Sequence, residues 1–191
     1  MCVSIRNKRG EAIIGILDKK NDHRMVLMVH GDQGHKNSLY QAQLAEKLPL
    51  TSFRFDLAGR GDSEGKPDYG QIAKDTEDIH TVAQYFEKQG FEIYAIIGYA
   101  RGSLSGLKYA TTCDKPLSHY FNIAAPYHNN DIKLGLVGQE WKVYQKDQLV
   151  SLNVAQDEID QFNAWDNSHV IRMPKTTCVH TIHGINDQAS D

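Results

Sequence analysis

The stretch Ile96-Ile97-Gly98-Tyr99-Ala100-Arg101-Gly102 decides the fold. The run Glu92 to Ile97 leading into it is too apolar for an exposed edge and predicts a central strand, buried on both faces. Residues Arg101 to Thr112 then take on helical character. A strand therefore passes straight into a helix through a turn whose centre, Ala100, has a glycine two residues to either side.

The same strand-then-helix reading extends in both directions. Upstream, Ala12 to Leu17 and Met25 to Val29 are β-rich runs separated by the polar turn DKKNDH, and the second ends in His30-Gly31. Asn37 or Ser38 is placed to cap a helix with Leu39, Tyr40, Leu44 and Leu48 on one face, and Pro49 stops it. Thr51 to Asp56 reads as a short strand, followed by the glycine-rich LAGRGDSEGKP. Asp68, three residues before Gln71, resembles a capping box opening a long helix. Its inward positions are Ile72, Thr76, Ile79, Val82, Ala83 and Phe86, and Gly90 ends it in a left-handed conformation. Downstream, Ser118 to Ala124 and Thr176 to Ile182 read as further strands. Between them, residues 126–175 break the alternation, contain Trp141 and Trp165, and read as an inserted cap. The alternation predicts an α/β protein with a mostly parallel sheet flanked by helices, in a single domain over residues 1–191.

Composition narrows the function classes. A chain of 191 residues, 40% hydrophobic, can build one real core. With Lys+Arg 21 against Asp+Glu 24 the net charge is −3, which provides no overall positive field for nucleic acid or an anionic membrane surface. The first residues lack the apolar run of about 7–15 residues of a secretory signal, and no stretch approaches the roughly 20 apolar residues of a spanning helix. Cys2, Cys113 and Cys178 are odd in number and far apart, which fits reduced thiols and a cytoplasmic location. No metal site or cofactor is expected.

The turn at 98–102 has the frame of a nucleophile elbow. In G-x-S-x-G the central residue takes a strained conformation that lifts its side chain above the sheet, and the glycines relieve the crowding. Here the centre is alanine, and a methyl group cannot attack a carbonyl. Gly61-Asp62-Ser63-Glu64-Gly65 also satisfies the pattern literally, but it begins five residues past Asp56 and runs into Pro67, so Ser63 reads as a loop residue. The same loop fails as a dinucleotide fingerprint because Glu64 stands where the third glycine belongs. It fails as a phosphate loop because Gly59 and Gly65 are one residue too far apart.

Taken in order, VLMVHGDQGHKN at 26–37, FRFDLAGRGDSEG at 53–65, the elbow at 98–102 and TIHGINDQAS at 181–190 resemble the α/β-hydrolase superfamily. The resemblance points to its cytosolic serine hydrolase branch, which includes cinnamoyl-esterase-like and serine-aminopeptidase-like proteins. It implies that Ala100 occupies the nucleophile position and Asp187 that of the triad acid. It further implies that the backbone N–H groups of Asp32 and Arg101 form the oxyanion hole. A carboxylate at position 32 would repel a developing oxyanion unless it points away. The resemblance places the catalytic histidine after one more strand and helix, and the chain stops at Asp191. His128 and His183, which follow strand ends, are the only substitutes, and both read better as structural or solvent-exposed residues.

The expected function is thus that of an inactive hydrolase-like protein, binding a small carbonyl or ester ligand or a partner. The alternative is an ester or small-amide hydrolase disabled by substitution and truncation. Trp141, Tyr144, Phe162 and Trp165 fit either an acyl pocket or plain packing of the cap. His180 and His183 fall on opposite faces of a strand and form no metal pair. An uncovered edge at the last strand is expected to favour self-association.

Overall fold

The computed structural model describes residues 1–125 and 136–186. Its strands are β1 (Cys2–Arg6), β2 (Ala12–Asp18), β3 (Arg24–Val29), β4 (Thr51–Phe55), β5 (Glu92–Tyr99), β6 (His119–Ile123), β7 (Glu140–Gln145), β8 (Gln148–Asn153) and β9 (Cys178–Ile182). Seven of them form one sheet in the order β1-β2-β4-β3-β5-β6-β9, and β7 and β8 pair as a separate hairpin. From β4 to β9 all neighbours are parallel, while β2 runs antiparallel to both β1 and β4. The α/β reading holds, with β5 in the interior of the sheet.

The main core lies on the face covered by α2 (Ile72–Glu87) and α3 (Arg101–Thr112), where Ile79, Val82, Ala83 and Phe86 pack on Leu27, Phe53, Phe55 and Ile96. All six inward positions expected on α2 are buried, and Gly90 ends the turn beyond it at φ +87. The opposite face carries α1 (Gln41–Lys47), whose Leu44 packs beside Val26, Ala95 and Ile97.

The helix expected from Arg101 to Thr112 is found with those bounds, but both starts expected from capping residues are wrong. Ser38 does not cap α1. Its Oγ accepts from the His35 N–H at 2.9 Å, Leu39 adopts φ 54, and the helix begins only at Gln41. Nor do Asp68 and Gln71 form a capping box. Asp68 accepts from the Gly70 N–H at 2.8 Å, while the Gln71 amide turns inward to Ala58 O and Asp75, both at 3.1 Å. Within the segment expected as a cap, the structure describes the β7–β8 hairpin, α4 (Gln156–Asn163) and a 3-10 turn over Ser168–Arg172.

Candidate functional site

The order β4-β3-β5 contains a reversal: the chain leaves β3 for β4 on one side and later enters β5 on the other. In an open parallel sheet such a switch opens a crevice at the carboxyl ends of the two strands. Here β3 ends into His30-Gly31-Asp32 and β5 into Ala100. Ala100 has φ 47 and ψ −117, strained values for a residue with a β-carbon. Its N–H donates to Ile123 O at 2.8 Å, which ties the turn to β6. The glycines answer to sterics: a β-carbon at Gly98 would lie 2.6 Å from Ser103 Cα, and one at Gly102 2.4 Å from His30 O. Strand end and helix start are therefore pressed onto the loop that follows β3.

His30 is fully buried and structural. Its Nδ1–H donates to Gly31 O at 2.7 Å and its Nε2 accepts from the Leu57 N–H at 3.1 Å, so both ring nitrogens are engaged in the neutral form. Burial pushes its pKa down to about 4, against the pull of Asp56.

A charged cluster that the sequence did not disclose lies beside the turn at Ala100. The Arg101 Nε donates to Asp75 Oδ2 at 2.9 Å, and Arg60 Nη1 donates to Asp75 Oδ1 at 3.4 Å. Asp75 and Arg60 are fully buried and Arg101 nearly so. Asp32 joins the two arginines, with Oδ1 at 3.4 Å from Arg101 and 3.7 Å from Arg60. Its Oδ2 accepts from the Trp141 indole N–H at 2.8 Å, and the Arg60 guanidinium lies 5.6 Å from the centre of that ring. Arg101 also donates to Tyr69 O. Burial pulls the Asp75 carboxyl upward, but Arg60 and Arg101 outweigh it and hold the group below the usual carboxylate range. The concern about a carboxylate at position 32 is met by its partners: two guanidinium groups and an indole N–H engage the charge.

A second buried ion cluster fixes the loop after β4. The Lys36 ammonium lies between Asp56 at 2.6 Å and Asp62 at 2.5 Å, and the Lys36 and Asp62 N–H groups also donate to Asp56. Ser63 is locked there: its Oγ donates to Asp56 O at 2.7 Å and accepts from the Ile14 N–H at 2.8 Å. It is a loop residue, as its context predicts.

A cavity of about 310 Å³ adjoins the site, lined by Asp32, Gln33, Ser38, Leu39, Gln41 and Tyr99 among others. A wider depression of about 660 Å³, bordered by Lys20 and Gly90, lies at the opposite ends of β3 and β5. Trp141 and Phe162 pack with Tyr69, Ile72 and Leu104, and Trp165 packs against that cluster, whereas Tyr144 is exposed at the rim beside His35. Packing accounts for three of the four aromatics. Ala100, Arg101 and Asp32 are brought together, but Asp187 and His128 lie outside the described residues. Among the described residues, no group of His, Cys, Asp and Glu could hold a metal ion, and no helix is long and apolar enough to cross a membrane.

No family model matches the sequence. The uncharacterised protein YDL057W of Saccharomyces cerevisiae is 30% identical over 148 residues, 65% of this chain and 45% of its own, so the chain spans about half the length of that relative. Among solved structures, Est1E of Butyrivibrio proteoclasticus with ferulic acid bound superposes with a TM-score of 0.70 at 18% identity, over 95% of this chain and 89% of its own. The α/β hydrolase GrgF of Penicillium sp. sh18 gives a TM-score of 0.70 at 13% identity, over 96% and 89%. With the switch between β3 and β5 and the strand-to-helix turn at Ala100, these superpositions establish that the chain has the α/β-hydrolase fold.

Proposed function

We propose that this chain is a serine-ester-hydrolase scaffold with alanine in the nucleophile's place, and that it holds small carbonyl or ester compounds without turning them over. The observation that carries this reading is the backbone of Ala100. Its strained φ of 47 supports a position built to raise a side chain above the sheet, and the side chain raised there is an inert methyl. The N–H groups of Asp32 and Arg101 are assigned to the carbonyl oxygen of the ligand, because backbone donors survive the change of side chain. The adjoining cavity of about 310 Å³ is at the small end of ligand sites, which favours a compact ligand. In this reading residues 126–175 form a cap over the site, and the protein works among reduced thiols in the cytoplasm. The ferulic acid bound by Est1E makes hydroxycinnamic acids and their methyl esters the first compounds to try.

The test pairs the unmodified chain with Ala100→Ser. The unmodified chain is expected to show a ligand-dependent rise in melting temperature with these compounds and no ester turnover above buffer. Ala100→Ser is expected to stay unlabelled by a fluorophosphonate, since a serine hydroxyl needs an adjacent general base to become nucleophilic and this reading assigns it none. Labelling of Ala100→Ser would replace this reading with that of a hydrolase disabled at one residue. No thermal shift with any carbonyl compound would remove the binding role.

A further inference from the structure

Among the described residues, the cavity of about 310 Å³ beside the turn at Ala100 takes its walls from the loop after β3, the start of α1 and Tyr99 at the end of β5. Two residues in these walls are held at a cost to the fold. Gln41 is 3% exposed, and its Oε1 is closed to water and finds no hydrogen-bond partner among the described residues. A buried acceptor left unmet is desolvated with nothing returned. Leu39, two residues earlier, has φ 54, in the left-handed region that a bulky side chain avoids, yet it is 66% exposed, so no packing offsets the strain.

Other polar groups of the walls are already engaged. The Asp32 carboxylate is held by Trp141 and Arg101, with Arg60 near it, and the Ser38 Oγ accepts from the His35 N–H. Gln33 is exposed, and Tyr99 is half-buried. That leaves Gln41 as the buried side chain in these walls whose hydrogen-bonding capacity is open. The last torsion of a glutamine is soft, so a turn about it brings either edge of the amide to the cavity surface. A hydroxyl group donates to Oε1 in one orientation and accepts from Nε2 in the other, whereas a C–H in the same place does neither.

We infer that Gln41 is a specificity-determining residue that selects a hydroxyl group on the ligand, with Leu39 as the apolar contact beside it. This rests on the reading that the site holds small carbonyl or ester compounds, and it narrows their class to hydroxylated ones. An analogue without the hydroxyl enters the same cavity but leaves the amide unpaired, and is disfavoured for that reason.

Calorimetric titration of the full chain with the methyl esters of the three monohydroxycinnamic acids and with methyl cinnamate tests the inference. At least one hydroxylated ester should bind about tenfold or more tightly than methyl cinnamate, and Gln41→Leu should bring the two within about threefold. Gln41→Leu also removes the unmet acceptor, so without ligand it should melt about 2–4 °C above the unmodified chain. Were the amide a structural group, the melting temperature would fall instead. Equal binding of all four esters by the unmodified chain overturns the inference and needs no variant to fold. A hydroxyl preference that persists in Gln41→Leu, or a lower melting temperature in that variant, overturns it too. Binding of none of the four also overturns it, and takes the earlier reading with it only where no other carbonyl compound binds.

Discussion

The flank from β1 to β3 and the flank from β5 to β9 use similar strands but are held in different ways. On the first, charges are sunk into the fold: Arg9 reaches the buried Asp78, the Lys36 ammonium meets the buried Asp56, and Arg60, from the loop after β4, reaches the buried Asp75. On the second, the outer face of β5, β6 and β9 is apolar and uncharged. Buried ions cost desolvation and return it only when every partner is in place. The first flank therefore resists rearrangement, and removing a buried partner there is costly. The second carries no such charges to strand and is cheap to alter.

The contrast can be broken at three points. The largest effect is expected from Asp75→Asn, which leaves two buried guanidinium groups short of a counter-charge. Chemical denaturation should show a loss of about 3–5 kcal/mol, and a loss below about 1 kcal/mol would mean that Asp32 alone neutralises the pair.

A smaller effect depends on pH. The folded-state pKa of His30 is depressed to about 4, so its contribution is complete above the ordinary value of 6.5 and is lost as pH falls through that window. The full span is worth about 3 kcal/mol. Burial raises Asp78 to about 6, with Arg9 opposing, and this acts with the opposite sign: stability falls as pH rises from about 4 to about 6. The two nearly cancel in the unmodified chain. Asp78→Asn removes one of them, so denaturation midpoints between pH 6.5 and 4 should fall more steeply in the variant. Parallel curves would show that the two groups do not titrate in this window.

The smallest effect belongs to the bare flank. Ile185→Ser alters a fully exposed side chain and should shift unfolding by no more than about 0.5 kcal/mol. A larger loss would show that this flank is already covered.

Much of the fold was legible because parallel strands announce themselves by apolar runs, and α2 by its inward face from Ile72 to Phe86. What was missed has physical causes. β1 is short and half polar. The β7–β8 hairpin turns on Lys146 and Asp147, both at positive φ, without the glycine that usually marks such a turn. Its alternation of buried Trp141 and Val143 with exposed Lys142 and Tyr144 was the available signal. The helix starts were misplaced because Ser38, Asp68 and Gln71 spend their side chains on local turns and on Asp75. At the site, the tight strand-to-helix turn at Ala100 could be read from two glycines, but the Asp32, Arg60, Asp75 and Arg101 cluster could not. Those residues are distant in sequence and meet only when loops and helices close on the switch between β3 and β5.

The crowding at Gly98 and Gly102 bears on how such a gene diverges. A side chain at either position would collide with backbone, whatever stands at Ala100. These two positions are therefore held by folding, whatever chemistry the residue between them serves.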